Sequence, residues 1–444
     1  MTKQITNSLY DQLIADFELR SILSNSSESV VLHALRKEAL KQFRELGFPN
    51  TKVEDWKYIN LSPFLKDDFL TSTDDELVPV SNEVIEAAKV PQLDAHHIVV
   101  VNGRFRPELS DRIPCDDFHI AALADAMNTP AFVDHFGRYV ALNKHHFAAL
   151  NTALFSDGIF IEVKDRATVT KPIHLIQVVV SDQPVFLQPR NLFVIGAGAE
   201  ITIVESFVTA GNYSRTAPRI FINNVSEIVV KERARVQHYC IQNGKENTSY
   251  IHHTEIVQHS GSIYNNYKAS LPGTALLRNN LNVALNGENI ESHLFGLYLV
   301  AGKQIVDNHT AVDHLKPNCH SNELYKGVMK DEAVAIFNGK ILVRKNAQKT
   351  NAFQKNNNLM LSKKAVVDSK PQLEIFADDV KCSHGSTIGQ FDDDALFYLK
   401  ARGIGEEKAR ALLIHAFAFD VTGKIPSTAL QVHINHLIEE GLMV

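Results

Sequence analysis

The chain has 444 residues, of which 45% are hydrophobic and 22% charged, and its formal net charge is −6 at pH 7. This length exceeds what one hydrophobic core usually supports, so two or three domains are expected. The acidic balance gives nucleic-acid binding no electrostatic support, and no apolar stretch is long enough to span a bilayer.

Residues 1–92 are predicted to be a helical region that ends in a linker. Hydrophobic residues recur at helical spacing within residues 31–46, and Gly47 with Pro49 ends that run. Residues 71–92 lack a clear period and are interpreted as the linker. The polar start of the chain lacks the apolar core of a signal peptide. Four scattered cysteines form neither a disulfide framework nor a Cys-x-x-Cys zinc site, so a reducing cytoplasm is the expected location.

Residues 93–157 are predicted to be a mixed lead-in segment. A short strand is expected at residues 97–101, and helical stretches are expected around residues 121–127 and 132–150.

Residues 158–380 carry short alternating runs that Gly, Asn and charged residues interrupt every several positions. Such runs predict many short strands and favour a β-sandwich, a β-barrel or a β-solenoid. More than two hundred residues without a helical pattern favour the solenoid, although periodicity alone leaves the other two open. Gly196 and Gly198 are interpreted as a solenoid corner, because strands rather than a helix follow them.

Residues 381–444 return to helical patterning. Three aspartates at 392–394 place negative charge and capping oxygens at a helix start. Gly403 and Gly405 are expected to end that helix. A second helix is predicted at residues 406–419, and a third from Pro426 to about Gly441.

Cys382 and His384 are the most informative pair of side chains. In an extended segment they point to the same side, because side chains alternate along a strand. Two such ligands on one edge are suited to hold a metal ion or a sulfur species. The alternative is a turn in which the cysteine packs and the histidine caps a carbonyl, and the residues alone do not decide between the two.

The other histidines are interpreted as strand-surface and turn residues. None matches a His-Glu-x-x-His or Cys/His-finger spacing, and no Walker-type sequence occurs, so the chain is not expected to hydrolyse ATP. The densest histidine clusters are His252, His253 and His259, and His309, His314 and His320.

Several phrases of the sequence together resemble the SufD family, the scaffold subunits of the SUF iron–sulfur cluster assembly machinery. They include Glu54-Asp55-Trp56-Lys57-Tyr58, Leu150-Asn151-Thr152-Ala153 and most of residues 314–381. The resemblance spans roughly residues 50–420. It implies a right-handed parallel β-helix core at 158–380, flanked by amino-terminal and carboxy-terminal helical regions.

The resemblance also implies a function. The chain is expected to be a non-catalytic scaffold without an intrinsic cofactor, which pairs with a SufB-like paralogue and helps to assemble a nascent cluster at their interface. His384 is the expected metal ligand, with Cys382 beside it as a second cluster-binding candidate. The carboxy-terminal helices are expected to dock a SufC-type ABC ATPase through Leu396, Phe397 and Leu399.

Two positions distinguish this chain from SufB-type relatives. Asn356 stands about where SufB subunits carry a cysteine thought to receive sulfur, and asparagine cannot form a thiolate. Ser383 and Gly385 flank His384 where SufB-type chains carry glutamates. Two other functions stay open at this point, an exported-type polysaccharide lyase or hydrolase and a binding-only adaptor. A homodimer is expected when the partner is absent.

Overall fold

The computed structural model describes residues 7–23, 29–71, 79–210 and 217–443. Residues 1–6 of the predicted helical region and 72–78 of the predicted linker lie outside the described residues. The α-helices are α1 (Asn7–Leu23), α2 (Val30–Leu46), α3 (Asn82–Ala88), α4 (Leu123–Ala126), α5 (Pro130–His135), α6 (His146–Leu154), α7 (Asp393–Ala401), α8 (Glu406–Thr422) and α9 (Thr428–Met443).

The strands begin in the lead-in segment and continue almost to the carboxy-terminal helices. They are β1 (His96–Val101), β2 (Arg104–Phe105), β3 (Phe118–Ala122), β4 (Ile159–Val163), β5 (Ile173–Val179), β6 (Val185–Leu187), β7 (Arg190–Ile195), β8 (Glu200–Thr209), β9 (Ile220–Val230), β10 (Arg235–Asn243), β11 (Thr248–Gln258), β12 (Ile263–Ser270), β13 (Leu276–Leu285), β14 (Glu291–Val300), β15 (Ile305–His314), β16 (His320–Met329), β17 (Val334–Val343), β18 (Thr350–Met360), β19 (Val366–Ile375) and β20 (Val380–Gly389).

The described strands form two sheets of ten strands each, and the chain passes from one sheet to the other as it advances. Sheet I has the order β2-β1-β5-β8-β10-β12-β14-β16-β18-β20, and sheet II runs β19-β17-β15-β13-β11-β9-β7-β4-β3, with β6 beside β9. From β5 onward neighbours within each sheet are parallel. The predicted parallel β-solenoid is therefore confirmed, and its interior holds the largest apolar cluster.

One corner of the solenoid repeats a left-handed backbone position just before successive strands of sheet I. These residues have φ between 57° and 70°, which costs a residue with a Cβ atom but not glycine. Because the conformation recurs while the residue type changes, the sequence shows no repeat there. The residues are Gly198, Arg233, Gly261, Asn289, Asn318 and Lys349.

The amino-terminal region packs on the outer face of sheet II. Trp56 of this region and Phe147 of α6 share one buried cluster with Phe221 of β9. The motif of residues 54–58 lies in this contact, where the Arg278 guanidinium is 3.9 Å from the centre of the Trp56 ring. The motif is therefore explained by packing between the helical region and the sheet.

The lead-in segment is fastened to the solenoid by a buried polar network. Asn151 donates to the carbonyl oxygens of Pro189 and Asn223. Arg190, fully buried, donates to Thr152 at 2.9 Å and to Glu227. A buried charge requires such partners, so this network explains the motif of residues 150–153.

The carboxy-terminal helices pack on the outer face of sheet I. Ile414, Val421 and Leu430 are buried in one cluster with residues of β8 to β18. Lys326 of β16 donates to Asp420 of α8 at 2.6 Å, and its ammonium group lies 3.9 Å from the centre of the Phe417 ring. The helices are therefore attached to the same sheet that carries β20.

Several local expectations change in the structure. The predicted linker contains α3, whose Ile85 and Ala88 pack against β1, so a short amphipathic run was overlooked. The predicted helix at 132–150 is interrupted between α5 and α6. The last strand reaches Gly389, beyond residue 380, because pairing with β18 continues to that point. The domain boundaries themselves stay a prediction. Among the described helices, none has the length and apolar character needed to cross a bilayer.

Candidate functional site

The solenoid ends in two strands that each pair on one side only. Within the described residues, β19 pairs with β17 and β20 pairs with β18, and each is the last strand of its sheet. We call these two strands the open end. Their outer edges carry unpaired N–H and C=O groups, which favour the addition of another strand. Pro371 lies in β19, which fits an edge strand because proline has no N–H to donate.

Cys382 and His384 lie in β20 on the same face, as the alternation predicts. They pair in register with Ala352 and Gln354, so both side chains lie on the interior side of the last turn. At the usual rise of a strand, their Cα atoms are about 6.6 Å apart. The structure therefore brings the two sequence-predicted residues together, and the turn alternative does not apply.

The two side chains have different surroundings. Cys382 is half-buried and packs against a small apolar cluster that includes Ile341 and Val343. Burial raises the pKa of the Cys382 thiol, while a backbone hydrogen bond from Ala352 opposes the rise. The thiol form therefore dominates at neutral pH, and the sulfur is not activated as a nucleophile.

His384 is exposed, and within the described residues no side chain engages its imidazole. Beneath it, Gln354 donates to Glu323 at 2.7 Å, and the Thr310 hydroxyl donates to the same carboxyl group. Burial raises the pKa of Glu323 to about 7. An unengaged ring above this closed network keeps both nitrogen atoms available to a ligand that arrives from outside.

Asn356 lies inside the solenoid and has several hydrogen bonds. Its amide donates to the Tyr298 hydroxyl at 2.8 Å, and its carbonyl oxygen accepts from Asn358 and from Ser369. Ser369 in turn lies 2.8 Å from Ser386 of β20. A polar network thus extends from the interior to the open end. The sequence analysis did not predict a role for Ser369 and Ser386. The only sequence signal for them is that each occupies an inward-facing position in the alternation of its strand.

The predicted partner-binding residues of α7 do not share one face. Phe397 is 74% exposed and the neighbouring Tyr398 is 57% exposed, whereas Leu396 is 9% exposed and Leu399 is half-buried. Asp392 caps this helix by accepting from the backbone N–H groups of Asp394 and Ala395. The helix therefore presents Phe397 and Tyr398 to solvent, and Leu396 is not accessible to a partner.

The open end supplies an incomplete ligand set. Imidazole nitrogen suits iron, and a thiol sulfur suits iron once it loses its proton. Two donors on one strand cannot complete a four-ligand site, so a cluster held there needs donors from a second surface.

Comparison with known protein families identifies two matching regions. The family model described as the SufBD core domain of SUF system FeS cluster assembly matches residues 178–417, and the model for the SufBD protein N-terminal region matches residues 7–175. Together the two regions contain the amino-terminal helices, the solenoid and most of α8.

Curated relatives match over nearly the whole chain. An iron–sulfur cluster assembly SufBD family protein of Synechocystis is 32% identical, covering 99% of this chain and 97% of the relative. The iron–sulfur cluster assembly protein SufD of Escherichia coli is 31% identical, covering 90% of each chain. The SufD protein of Bacillus subtilis is 26% identical, covering 95% of this chain and 96% of the relative.

Proposed function

The chain belongs to the SufD group of the SufBD family of iron–sulfur cluster assembly proteins, and on that premise we propose that it is a non-catalytic scaffold subunit. Its open end joins a SufB-like paralogue, its carboxy-terminal helices bind a SufC-type ATPase, and His384 donates one ligand to a nascent cluster. The cluster is cargo of the complex rather than a resident cofactor. One observation carries the proposal: an exposed, unengaged imidazole lies in a terminal strand that has one unpaired edge.

The open end supports pairing with a second solenoid. The strands β19 and β20 present free edges side by side, and most of their side chains are at least partly exposed. A paralogue with the same two-sheet end offers complementary edges, so both sheets continue across the contact and the free backbone groups find partners. In the absence of the paralogue, a second copy of this chain satisfies the same edges and forms a homodimer.

The position of His384 supports a shared cluster site. Because its ring lies at the surface where the partner would dock, it becomes part of the interface without any change in the solenoid. Donors from the partner then complete the ligand set that this chain lacks. Cys382 is the weaker candidate, because its sulfur is half-buried and held as a thiol.

The exposed rings of α7 support docking of the ATPase. Phe397 and Tyr398 resemble the aromatic side chains that fill pockets in helix-in-groove contacts. The helix α8 contacts β14 and β16 of sheet I and is held there by the Lys326–Asp420 contact. Movement of the ATPase subunits therefore reaches the sheet that ends in β20, and favours one arrangement of the paralogue contact over another.

The proposal places the protein in the cytoplasm, in keeping with four free cysteines. A polysaccharide lyase or hydrolase needs paired carboxylates in a groove. The buried acids here are instead engaged singly: Glu227 pairs with Arg190, Asp307 with Arg278 and Glu205 with His238, while Glu255 lies beside His253 and Glu323 accepts from Gln354. A binding-only adaptor keeps the same partners without holding a cluster, so cluster content separates it from the scaffold.

The test is reconstitution of the complex from this chain, the SufB-like paralogue and the SufC-type ATPase under anaerobic conditions. We expect the three chains to co-purify with bound iron and acid-labile sulfide. His384→Ala is expected to keep the subunits together and to lose most of the cluster, and Cys382→Ser to lose less. Ser383→Ala, on the opposite face of the same strand, is the matched control and is expected to behave as wild type.

Wild-type iron and sulfide content in the His384→Ala complex would reject the ligand role. A complex that assembles without iron or sulfide would favour the adaptor. Failure of the three chains to co-purify would reject the scaffold altogether.

A further inference from the structure

A second cluster of ligand-type side chains lies in a cleft remote from the open end. The cleft separates the amino-terminal region from the outer face of sheet II and has a volume of about 290 Å³. Its lining includes Trp56, His145, His253 and Arg278. In sheet II, β11 is four strands from β19, which corresponds to about 19 Å at the usual strand spacing.

Three donor groups converge in this cleft from distant parts of the chain. His253 and Glu255 are two residues apart in β11, so both project from the outer face of sheet II. His145 immediately precedes α6, in the cap position, and makes no capping hydrogen bond there. One potential ligand atom from each of the three lies within 4.8 Å of the others. Among the described residues no other group of three His, Cys, Asp or Glu side chains meets that condition.

The three side chains are held in place by the surrounding structure. The Nε2 atom of His253 is 2.8 Å from an oxygen of Glu255, and the His145 and His253 rings have their centres 4.5 Å apart. Asn282 of the neighbouring β13 donates to the same Glu255 oxygen at 2.8 Å. Such a hydrogen bond to a ligand carboxylate orients it and is a common feature of metal sites. Because His253 is 1% exposed and Glu255 9% exposed, the group is enclosed rather than scattered over a surface.

The geometry points to a site for a divalent first-row transition metal ion, Fe²⁺ or Zn²⁺, bound by His145, His253 and Glu255. Two imidazoles and one carboxylate form the donor set that these ions prefer over Mg²⁺ or Ca²⁺. Three protein donors leave the remaining coordination positions of such an ion to water or to an exogenous ligand from the cleft.

The charge of the surroundings is consistent with this assignment. Burial lowers the pKa of both imidazoles to about 3, with the His253 ring and Arg278 adding to the effect at His145, and Arg190 and Arg278 adding to it at His253. Both rings are therefore neutral at pH 7 and each has a lone pair. Of the four cationic side chains that line the cleft, three are paired elsewhere: Arg278 with Asp307, Lys370 with Glu54, and Lys340 with Glu374. The fourth, Lys144, is exposed to solvent.

The test uses the untagged, metal-free full-length chain without its partners, titrated with Zn²⁺ by calorimetry and with Co²⁺ by visible absorption. Wild type is expected to bind one equivalent, and bound Co²⁺ to show the intensified absorption of a site with fewer than six ligands. His145→Ala and Glu255→Gln are expected to weaken binding about tenfold or more. His259→Ala is the matched control, because it removes a histidine near a glutamate outside the group, and it is expected to bind as wild type.

Both variants are chosen to preserve the fold. The His145 side chain makes no cap hydrogen bond, and glutamine at 255 keeps the size of the side chain and an amide that can pair with Asn282. Thermal unfolding of each variant checks this. Absence of binding by wild type, or equal affinity in wild type and Glu255→Gln, would overturn the assignment. Because the measurement needs neither paralogue nor ATPase, its result is independent of the scaffold proposal.

Discussion

The hydroxyl groups of Ser369 and Ser386 lie 2.8 Å apart and join β19 to β20 across the interior of the last turn. Ser369 donates its only hydroxyl proton to Asn356, so Ser386 is the donor in the bond between the two serines. At this position the last turn is closed by directed hydrogen bonds, whereas the small apolar cluster fills it beside Cys382. This arrangement keeps the interior ordered up to the surface where the partner is proposed to dock.

Replacing Asn356 by alanine is expected to destabilise the chain by about 2 kcal/mol, because Tyr298, Asn358 and Ser369 each lose a buried partner. Cluster content of the complex that still folds is expected to stay at the wild-type level, since the Asn356 amide is buried and its nitrogen and oxygen atoms are both engaged in hydrogen bonds. Urea unfolding measures the first effect and iron analysis the second. Asn357→Ala, at the outward neighbour, is the control, and an equal loss of stability there would contradict the explanation.

The two neighbours Leu396 and Phe397 are expected to respond oppositely to aspartate. Phe397→Asp leaves folding intact and weakens ATPase binding about tenfold, because the exposed ring is proposed to enter the interface. Leu396→Asp places a charge in a buried position and destabilises α7 by several kcal/mol, roughly 3. Binding by surface plasmon resonance and thermal unfolding distinguish the two effects.

Val432→Asp serves as the control for added charge at an exposed hydrophobic residue, since Val432 is 60% exposed on α9. It is expected to change neither property. Full ATPase binding by the Phe397→Asp protein would remove α7 from the proposed interface.

Glu323 is expected to make the chain less stable as pH rises. Burial holds its folded-state pKa at about 7, above the ordinary value of 4.5, so the folded chain binds the proton more tightly than the unfolded chain. Its contribution is therefore fully present below about pH 4.5 and is lost as the pH rises to 7. Replacing it with glutamine is expected to remove this dependence, which amounts to roughly 3 kcal/mol at most.

The measurement is urea unfolding of wild type and Glu323→Gln between pH 5 and about 8, reported as their difference at each pH. Glu332→Gln is the control, because Lys364 lowers the pKa of that exposed carboxyl group and its titration therefore lies below this pH range, so that its difference from wild type is expected to stay constant between pH 5 and about 8. If the difference in free energy of unfolding between wild type and Glu323→Gln does not change with pH, the titration of Glu323 is not the origin of the pH dependence.

Lys349→Gly is expected to stabilise the chain by about 1 kcal/mol, which is the usual penalty of the left-handed conformation less the flexibility that glycine adds. Lys349 has φ of 58° at a solenoid corner. Lys345→Gly, four residues earlier and without positive φ, is expected to give a small loss of stability instead. Thermal unfolding compares the two variants. A loss of stability in both would indicate that the Lys349 side chain contributes more to stability than the left-handed backbone costs.

The solenoid was predictable because its strands alternate over more than two hundred residues, and the pairing of Cys382 with His384 followed from the same alternation. The exact positions of the corners could not be predicted, because glycine, asparagine, arginine and lysine all occupy the same left-handed position. A pattern in backbone conformation leaves no repeat in the residue types.

The sequence analysis did not predict the group formed by His145, His253 and Glu255, and the reason is a different one. His145 and Glu255 are more than a hundred positions apart, and only the packing of α6 against sheet II brings them together.

The interpretation of the dense histidines as surface residues was wrong for His252, His253 and His314, which are buried. Aromatic and polar neighbours within the solenoid accommodate His252 and His314 as neutral groups, whereas His253 is buried on the outer face of sheet II against His145, and composition alone reveals neither environment.

The free edges of β19 and β20 at the open end also affect the stability of the chain just after its synthesis. A stacked-repeat protein normally needs a polar terminal unit to shield its last layer, and here no described element covers that layer. A paralogue that docks there, as proposed, supplies part of the free energy that protects the folded chain by mass action. Newly made copies in excess of the proposed partner are expected to be the ones that aggregate or reach proteases, so the proposal predicts matched production of the two chains.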